Sequence, residues 1–115
     1  MSFSRINGVL HAEQCSLEQL AQQFSTPLYV YSKAAFEKHY LDMDQAFSFI
    51  DHQICFAVKS NSNIAVLNVL AKLGSGFDIV TGGELARVLA AGGDASKIVF
   101  SGLGKQEADI QKALE

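Results

Sequence analysis

Apolar and polar positions change period several times along this chain. Phe3 to Ile6 and Val9 to Ala12 read as two short strands joined by Asn7-Gly8, a pair that tolerates the positive φ values of a type I′ hairpin turn. Ser16 and Gln19 have capping-box spacing and open a short helix with Leu17, Leu20, Ala21 and Phe24 on one face. Pro27-Leu28-Tyr29-Val30-Tyr31 predicts a strand with proline at its first position. Ser32 then caps a helix in which Phe36, Tyr40, Met43 and Phe47 recur at helical spacing.

Beyond His52 the pattern becomes a regular alternation. Ile54-Cys55-Phe56-Ala57-Val58 is a continuous apolar run, which predicts a strand buried on both faces. A helix carrying Ile64, Val66, Leu67, Val69, Leu70 and Leu73 follows, with Gly74 where a left-handed terminator belongs. Gly76 to Val80 is the next strand, and Thr81 with Glu84 forms a second capping box that starts a helix running to Ala91. Lys97 to Phe100 is a third strand. Gly102 and Gly104 mark a turn before a helix over Lys105 to Leu114. Three βα units joined by short turns imply an α/β fold with parallel strands and right-handed crossovers. Three such strands leave open edges, so the series is expected to continue beyond Glu115.

Composition narrows the class. The length of 115 residues matches one ordinary domain. A 49% hydrophobic content and a mean hydropathy of +0.16 exclude a disordered chain. Polar residues interrupt every apolar run before the roughly 18 residues a membrane helix needs. Met1-Ser2-Phe3-Ser4-Arg5 does not begin a signal peptide, so a cytoplasmic location is expected. The net charge of −3 and scattered Lys and Arg argue against nucleic acid or an acidic membrane surface as partner. Cys15 and Cys55 have no metal or redox spacing and read as reduced thiols, one near the surface and one packed in a strand. His11, His39 and His52 form no i,i+4 pair, so no metal site is expected.

Chemistry in parallel α/β folds gathers where strands end at their carboxyl termini. Lys59, the Asp78–Thr81 bracket and Ser101 hold those positions. An amine at the mouth of an apolar strand loses hydration, which favours the neutral nucleophile that Schiff-base chemistry requires. The alternative is a surface lysine whose stem covers the strand end. Asp78 can pair with Lys59 across adjacent strand ends or bond local backbone amides. Glu84 has a sufficient local duty in its capping box. Gly82, Gly83, Gly102 and Gly104 precede or open helices that can receive a phosphate, but no Walker A or GxGxxG pattern accompanies them.

Phe56-Ala57-Val58-Lys59-Ser60-Asn61 resembles the Y-A-V-K-A-N signature of the group IV amino-acid decarboxylases of pyridoxal-phosphate fold type III. Gly74-Ser75-Gly76-Phe77-Asp78-Ile79-Val80-Thr81-Gly82-Gly83-Glu84-Leu85 is similar to their G-x-G-F-D-V-V-S-G-G-E-L segment, at matching distance. Phe100-Ser101-Gly102-Leu103-Gly104-Lys105 resembles the segment after that. Asn7-Gly8-Val9-Leu10-His11 and Thr26-Pro27-Leu28-Tyr29-Val30-Tyr31 resemble the opening of the branch that acts on diaminopimelate. Phe56, Ser60 and Thr81 depart from the usual Tyr, Ala and Ser.

The resemblance implies an alanine racemase-like (β/α)8 barrel that binds pyridoxal 5'-phosphate, of which residues 32–115 are the first three βα units. Residues 1–31 then belong to a β-domain. It implies that Lys59 is both the catalytic lysine and the residue that carries the cofactor, with Asp78 and Glu84 as cofactor-binding neighbours. The implied reaction converts meso-2,6-diaminopimelate to L-lysine and carbon dioxide in a homodimer whose active site lies at the subunit interface. The phosphate cradle and substrate-facing acid are expected outside these residues, so the 115 residues alone are expected to be inactive. Two alternatives stand beside this one. The first is a related decarboxylase acting on ornithine, a D-amino acid or carboxynorspermidine. The second is a non-catalytic interaction module.

Overall fold

The computed structural model describes residues 2–115. Met1, the first residue of the N-terminal stretch read above, lies outside them. β1 (Phe3–Ile6) and β2 (Val9–Ala12) pair antiparallel from Phe3↔Ala12 to Ile6↔Val9. Asn7 at φ 51° and Gly8 at φ 85° form the expected turn, and Arg5 Nη1 closes it by donating to the Gly8 carbonyl at 2.8 Å. A two-residue strand, β3 (Cys15–Ser16), adds to the free edge of β2. α1 (Leu17–Phe24) follows directly. Ser16 Oγ accepts the Gln19 N–H at 3.4 Å. The capping box expected here is one-sided, since the Gln19 side chain returns no bond among the described residues.

The strand expected over residues 27–31 does not form. The segment has no ladder partner among the described residues, and Leu28, Tyr29 and Tyr31 are exposed. A β-propensity run becomes a strand only where a neighbour accepts its backbone bonds. Both sheets lie elsewhere.

What ties the hairpin sheet to the rest is Glu13, in the turn after β2. Its Oε1 accepts the Ser32 hydroxyl at 2.8 Å and the Ala34 N–H at 3.0 Å. These groups open α2 (Lys33–Ala46), whose own N-cap, Ser32 Oγ, accepts the Ala35 N–H at 3.1 Å. The helix is therefore capped by its own serine and by a carboxylate from the hairpin. The bond from the Ala34 backbone, then that from Ser32, holds the Glu13 carboxyl below the usual carboxylate range. Such a group stabilises the fold fully above its ordinary value of about 4.5 and loses that contribution as pH falls through the lowered value. The hairpin is expected to loosen from α2 in that acidic window, read as faster amide exchange in residues 2–16. Glu13→Gln is expected to remove this pH response; an equal response in both proteins would refute the role given to the carboxylate.

β4 (Cys55–Ala57), β5 (Gly76–Ile79) and β6 (Ile98–Phe100) form a parallel sheet in the order β4-β5-β6, with Phe56 opposite Phe77 and Phe77 opposite Ile98. α3 (Ile64–Lys72) and α4 (Gly82–Ala90) supply the crossovers, and α5 (Glu107–Leu114) follows β6. Gly74, at φ 88°, ends α3: its N–H donates to Ala71 and that of Ser75 to Leu70, a Schellman arrangement that only a left-handed residue permits at this point. α4 ends in the same way at Gly92. The core joins Val58, Phe77 and Ile79 to Val66, Leu67 and Leu70 of α3 and to Leu85 and Val88 of α4.

Several boundaries differ from expectation: Ile54 and Val80 lie outside β4 and β5, and α4 ends at Ala90. The first strand stops at Ala57, because Val58 already enters a 3-10 turn. Lys97 lies in another such turn, Ala95–Lys97, where the Asp94 side chain takes the Ser96 N–H. α5 begins at Glu107 instead of Lys105. Burial on both faces, expected of the first strand, is not seen: Cys55, Phe56 and Ala57 are each half-buried. Phe77 and Ile79 are fully buried, whereas the alternating Asp78 is only half-buried and Val99 is 49% exposed. One sheet face packs on helices; the other, bearing Cys55, Ala57, Asp78 and Val99, is open among the described residues.

Candidate functional site

The open face and the strand ends above it bring the sequence-derived candidates together. After Ala57 the chain makes one 3-10 turn, Val58–Ser60, and Lys59 is its middle residue. Val58 is fully buried in the core, whereas Lys59, the next residue of the turn, is exposed. Ser60 Oγ donates to the Ala57 carbonyl at 2.7 Å, and the Asn61 N–H donates to that of Val58 at 3.1 Å. Asn61 Oδ1 accepts the Asn63 N–H at 3.0 Å, and Asn63 Oδ1 caps α3 through the Ala65 N–H at 2.9 Å. The polar tract after Lys59 is thus a chain of side-chain-to-backbone bonds that fixes the turn. The Lys59 amine itself has no hydrogen-bond or ion-pair partner among the described residues.

Asp78 stands mid-strand on the open face, opposite Ala57 in register and flanked by Val99 on the other side. The methyl of Ala57 leaves room beside it. Pairing of Asp78 with Lys59 is not what the structure shows: the Asp78 carboxylate instead accepts the Ser101 hydroxyl at 2.5 Å. This bond joins the ends of β5 and β6. The dehydration expected of the lysine amine is likewise not supplied by these residues, since no apolar wall covers the open side of the sheet.

Glu84 departs from its capping box in an informative way. Thr81 Oγ1 accepts the Glu84 N–H at 3.1 Å, as expected, but the Glu84 carboxylate reaches one residue further back, to the Val80 N–H at 2.8 Å. It therefore holds the turn between β5 and α4, and Oε1 is left without a partner among the described residues. The Gly82 N–H donates to Asp109 Oδ1 of α5 at 3.2 Å, while Asp109 Oδ2 accepts the Gln106 N–H at 3.3 Å. Asp109 and Thr81 occupy two of the donors at the start of α4, those of Gly82 and Glu84, while the exposed Gly83 N–H has no partner among the described residues. Gly102 lies in the turn before α5, its carbonyl accepting Lys105 Nζ at 2.5 Å; Gly83 and Gly104 are exposed.

Asp109 was not singled out from the sequence. Its place at the third position of α5 signals a helix-start role, but its reach to Gly82 is a tertiary contact with no local signature. Cys15 is exposed on β3, and Cys55 is half-buried on the open face. His11 and His52 bond nearby carbonyls, His39 is exposed, and no group of three or more metal-ligating side chains converges among the described residues. No described helix is long and apolar enough to cross a membrane.

Residues 33–115 match the family model described as "Pyridoxal-dependent decarboxylase, pyridoxal binding domain". The diaminopimelate decarboxylase of Haemophilus influenzae is 64% identical over 113 residues, covering 98% of this chain and 27% of that protein. The diaminopimelate decarboxylase of Vibrio cholerae is 60% identical, covering 95% of this chain and 26% of its own length. The crystal structure of a diaminopimelate decarboxylase from M. jannaschii in complex with L-lysine superposes with a TM-score of 0.92 at 31% identity, covering 98% of this chain and 27% of that one. The chain thus spans about a quarter of the length of the relatives it matches.

Proposed function

The chain belongs to the pyridoxal-dependent decarboxylases, and we propose that it supplies the N-terminal part of an enzyme that converts meso-2,6-diaminopimelate to L-lysine. The observation that carries this is the 64% identity to a diaminopimelate decarboxylase across 98% of the chain. The proposed architecture is an alanine racemase-like (β/α)8 barrel. Residues 32–115 provide its first three βα units and residues 1–31 part of a β-domain; the two separate sheets, one antiparallel and one parallel, support that division. A homodimer with its active site at the subunit interface and a cytoplasmic location belong to the same proposal.

The residues present fit pyridoxal 5'-phosphate. Lys59 offers a primary amine with no partner among the described residues, and the face beside Ala57 and Asp78 is open to a flat ring. When bound, the cofactor supplies the electron sink that makes loss of carbon dioxide from an amino acid possible. Lys59 would hold the cofactor through Nζ. Asp78 places a negative charge on the same sheet face, steadied by the Ser101 hydroxyl. Glu84 is proposed as a second cofactor neighbour; it holds the β5–α4 turn through Val80 and keeps one carboxylate oxygen available. The phosphate is proposed to be held mainly by residues outside this chain, since the N–H groups of Gly82 and Glu84 are engaged and only that of Gly83 is left at this helix start.

A substrate panel on the full-length protein tests the reading: carbon dioxide release with L-lysine as product from meso-diaminopimelate, against ornithine, arginine and lysine. Preference for any of the last three would sink it. A barrel of this type needs roughly 250 residues. Residues 1–115 expressed alone are therefore expected to release no carbon dioxide from diaminopimelate, and measurable turnover by them would show that the site needs nothing more.

A further inference from the structure

Lys59 sits on a turn held from within by short-range bonds, and one longer-range side-chain bond reaches the same loop. Arg87, exposed on α4, donates from Nη1 to the Ser62 carbonyl at 3.2 Å. Arg87 forms no ion pair among the described residues, so no carboxylate competes for it. Nearer the other end of the same helix pair, Asn68 Nδ2 donates to the Ala91 carbonyl at 2.9 Å. α3 and α4 are thus clamped at two points along their length. The Arg87 clamp falls on the loop joining Lys59 to the N-cap of α3. The start of α4 is in turn fixed to the end of β5 by Glu84 and Thr81. Arg87 therefore couples the loop that carries Lys59 to the strand that carries Asp78.

We propose that Arg87 is a positioning residue: through the Ser62 carbonyl it holds the Lys59 turn just beyond Ala57, the residue in register with Asp78, so that the amine is presented at the edge of the open sheet face. This role rests on the reading of Lys59 as the cofactor-bearing residue. A guanidinium suits it, because a fixed, permanently charged fork bonds a carbonyl from an exposed helix without needing burial. Losing a charge-assisted bond in a solvated setting frees the loop without unfolding the helices.

The test uses the full-length protein as wild type, Arg87→Met and Arg87→Lys. In the cofactor-free protein, amide exchange in residues 59–63 is expected to rise in Arg87→Met while α4 stays protected. With pyridoxal phosphate added as probe, borohydride trapping on Lys59, read by peptide mass spectrometry, is expected to slow about 5-fold. In the loaded enzyme kcat is expected to fall with little change in KM. Arg87→Lys, which keeps a cationic donor on a flexible stem, is expected to recover part of each. Unchanged exchange in residues 59–63, or loss of protection throughout α4, would overturn the positioning role. Absence of any label on Lys59 in wild type would instead overturn the functional reading and with it the role toward the cofactor, while the exchange data still report whether Arg87 holds the loop.

Discussion

Lys59→Ala is expected to abolish decarboxylation in the full-length enzyme and to remove the borohydride-stabilised cofactor from the protein. A positioned proton-transfer group alone contributes roughly 10²–10⁴-fold, and here the residue that binds the cofactor is lost as well. Lys59→Arg is expected to be equally inactive, although it keeps the charge, because a guanidinium does not lose its proton to become a nucleophile. Lys59 is exposed and without a partner among the described residues, so in the cofactor-free protein neither substitution should shift stability by more than about 0.5 kcal/mol. Activity loss without thermal destabilisation of the cofactor-free protein is therefore the diagnostic pair. Retention of even a tenth of wild-type carbon dioxide release would remove Lys59 from the site.

The largest effect on stability is expected at Phe77. Its side chain is fully buried at the centre of β5, paired with Phe56 on one side and Ile98 on the other. Phe77→Ala is expected to cost about 3–5 kcal/mol, the transfer term plus an unfilled cavity. Urea unfolding followed by fluorescence or circular dichroism reads this as a lower midpoint. Val99→Ala, on the open face of the neighbouring strand, is the control and is expected to cost far less in the same assay on residues 1–115. A loss under about 1 kcal/mol for Phe77→Ala would mean that the helices do not close over this face as described.

The contrast between those two positions shows where the sequence is legible. The Asn7-Gly8 turn, the serine and threonine caps and the glycine terminators are local signals with one physical meaning each, and the elements they bound form within a residue or two of expectation. The one-sided burial of the parallel sheet was not legible. Cys55, Phe56 and Ala57 are all apolar, so a three-residue strand carries no visible period even though only Phe56 packs against the core. The segment after Pro27 has the composition of a strand but lacks a partner, and partners are not encoded locally. At the site, Lys59 was recognisable by its position just past a strand end and Asp78 as the polar residue within an apolar strand. Their partners were not: Ser101 on Asp78, Arg87 on Ser62 and Asp109 on Gly82 each join residues more than 20 apart in sequence, and no spacing rule marks them.

The registers of the parallel sheet also bear on how the chain reaches this state. Phe56 faces Phe77, and Phe77 faces Ile98, so the two strand-to-strand steps consume equal lengths of chain. Each step closes a loop of the same modest entropic cost and deposits the next strand directly beside the last. Among the described residues, neither strand pairing waits for a distant segment. A ribosome releasing this sequence can therefore lay down one strand–helix unit at a time, each using its predecessor as a template, with β5 assembled before β6 is synthesised.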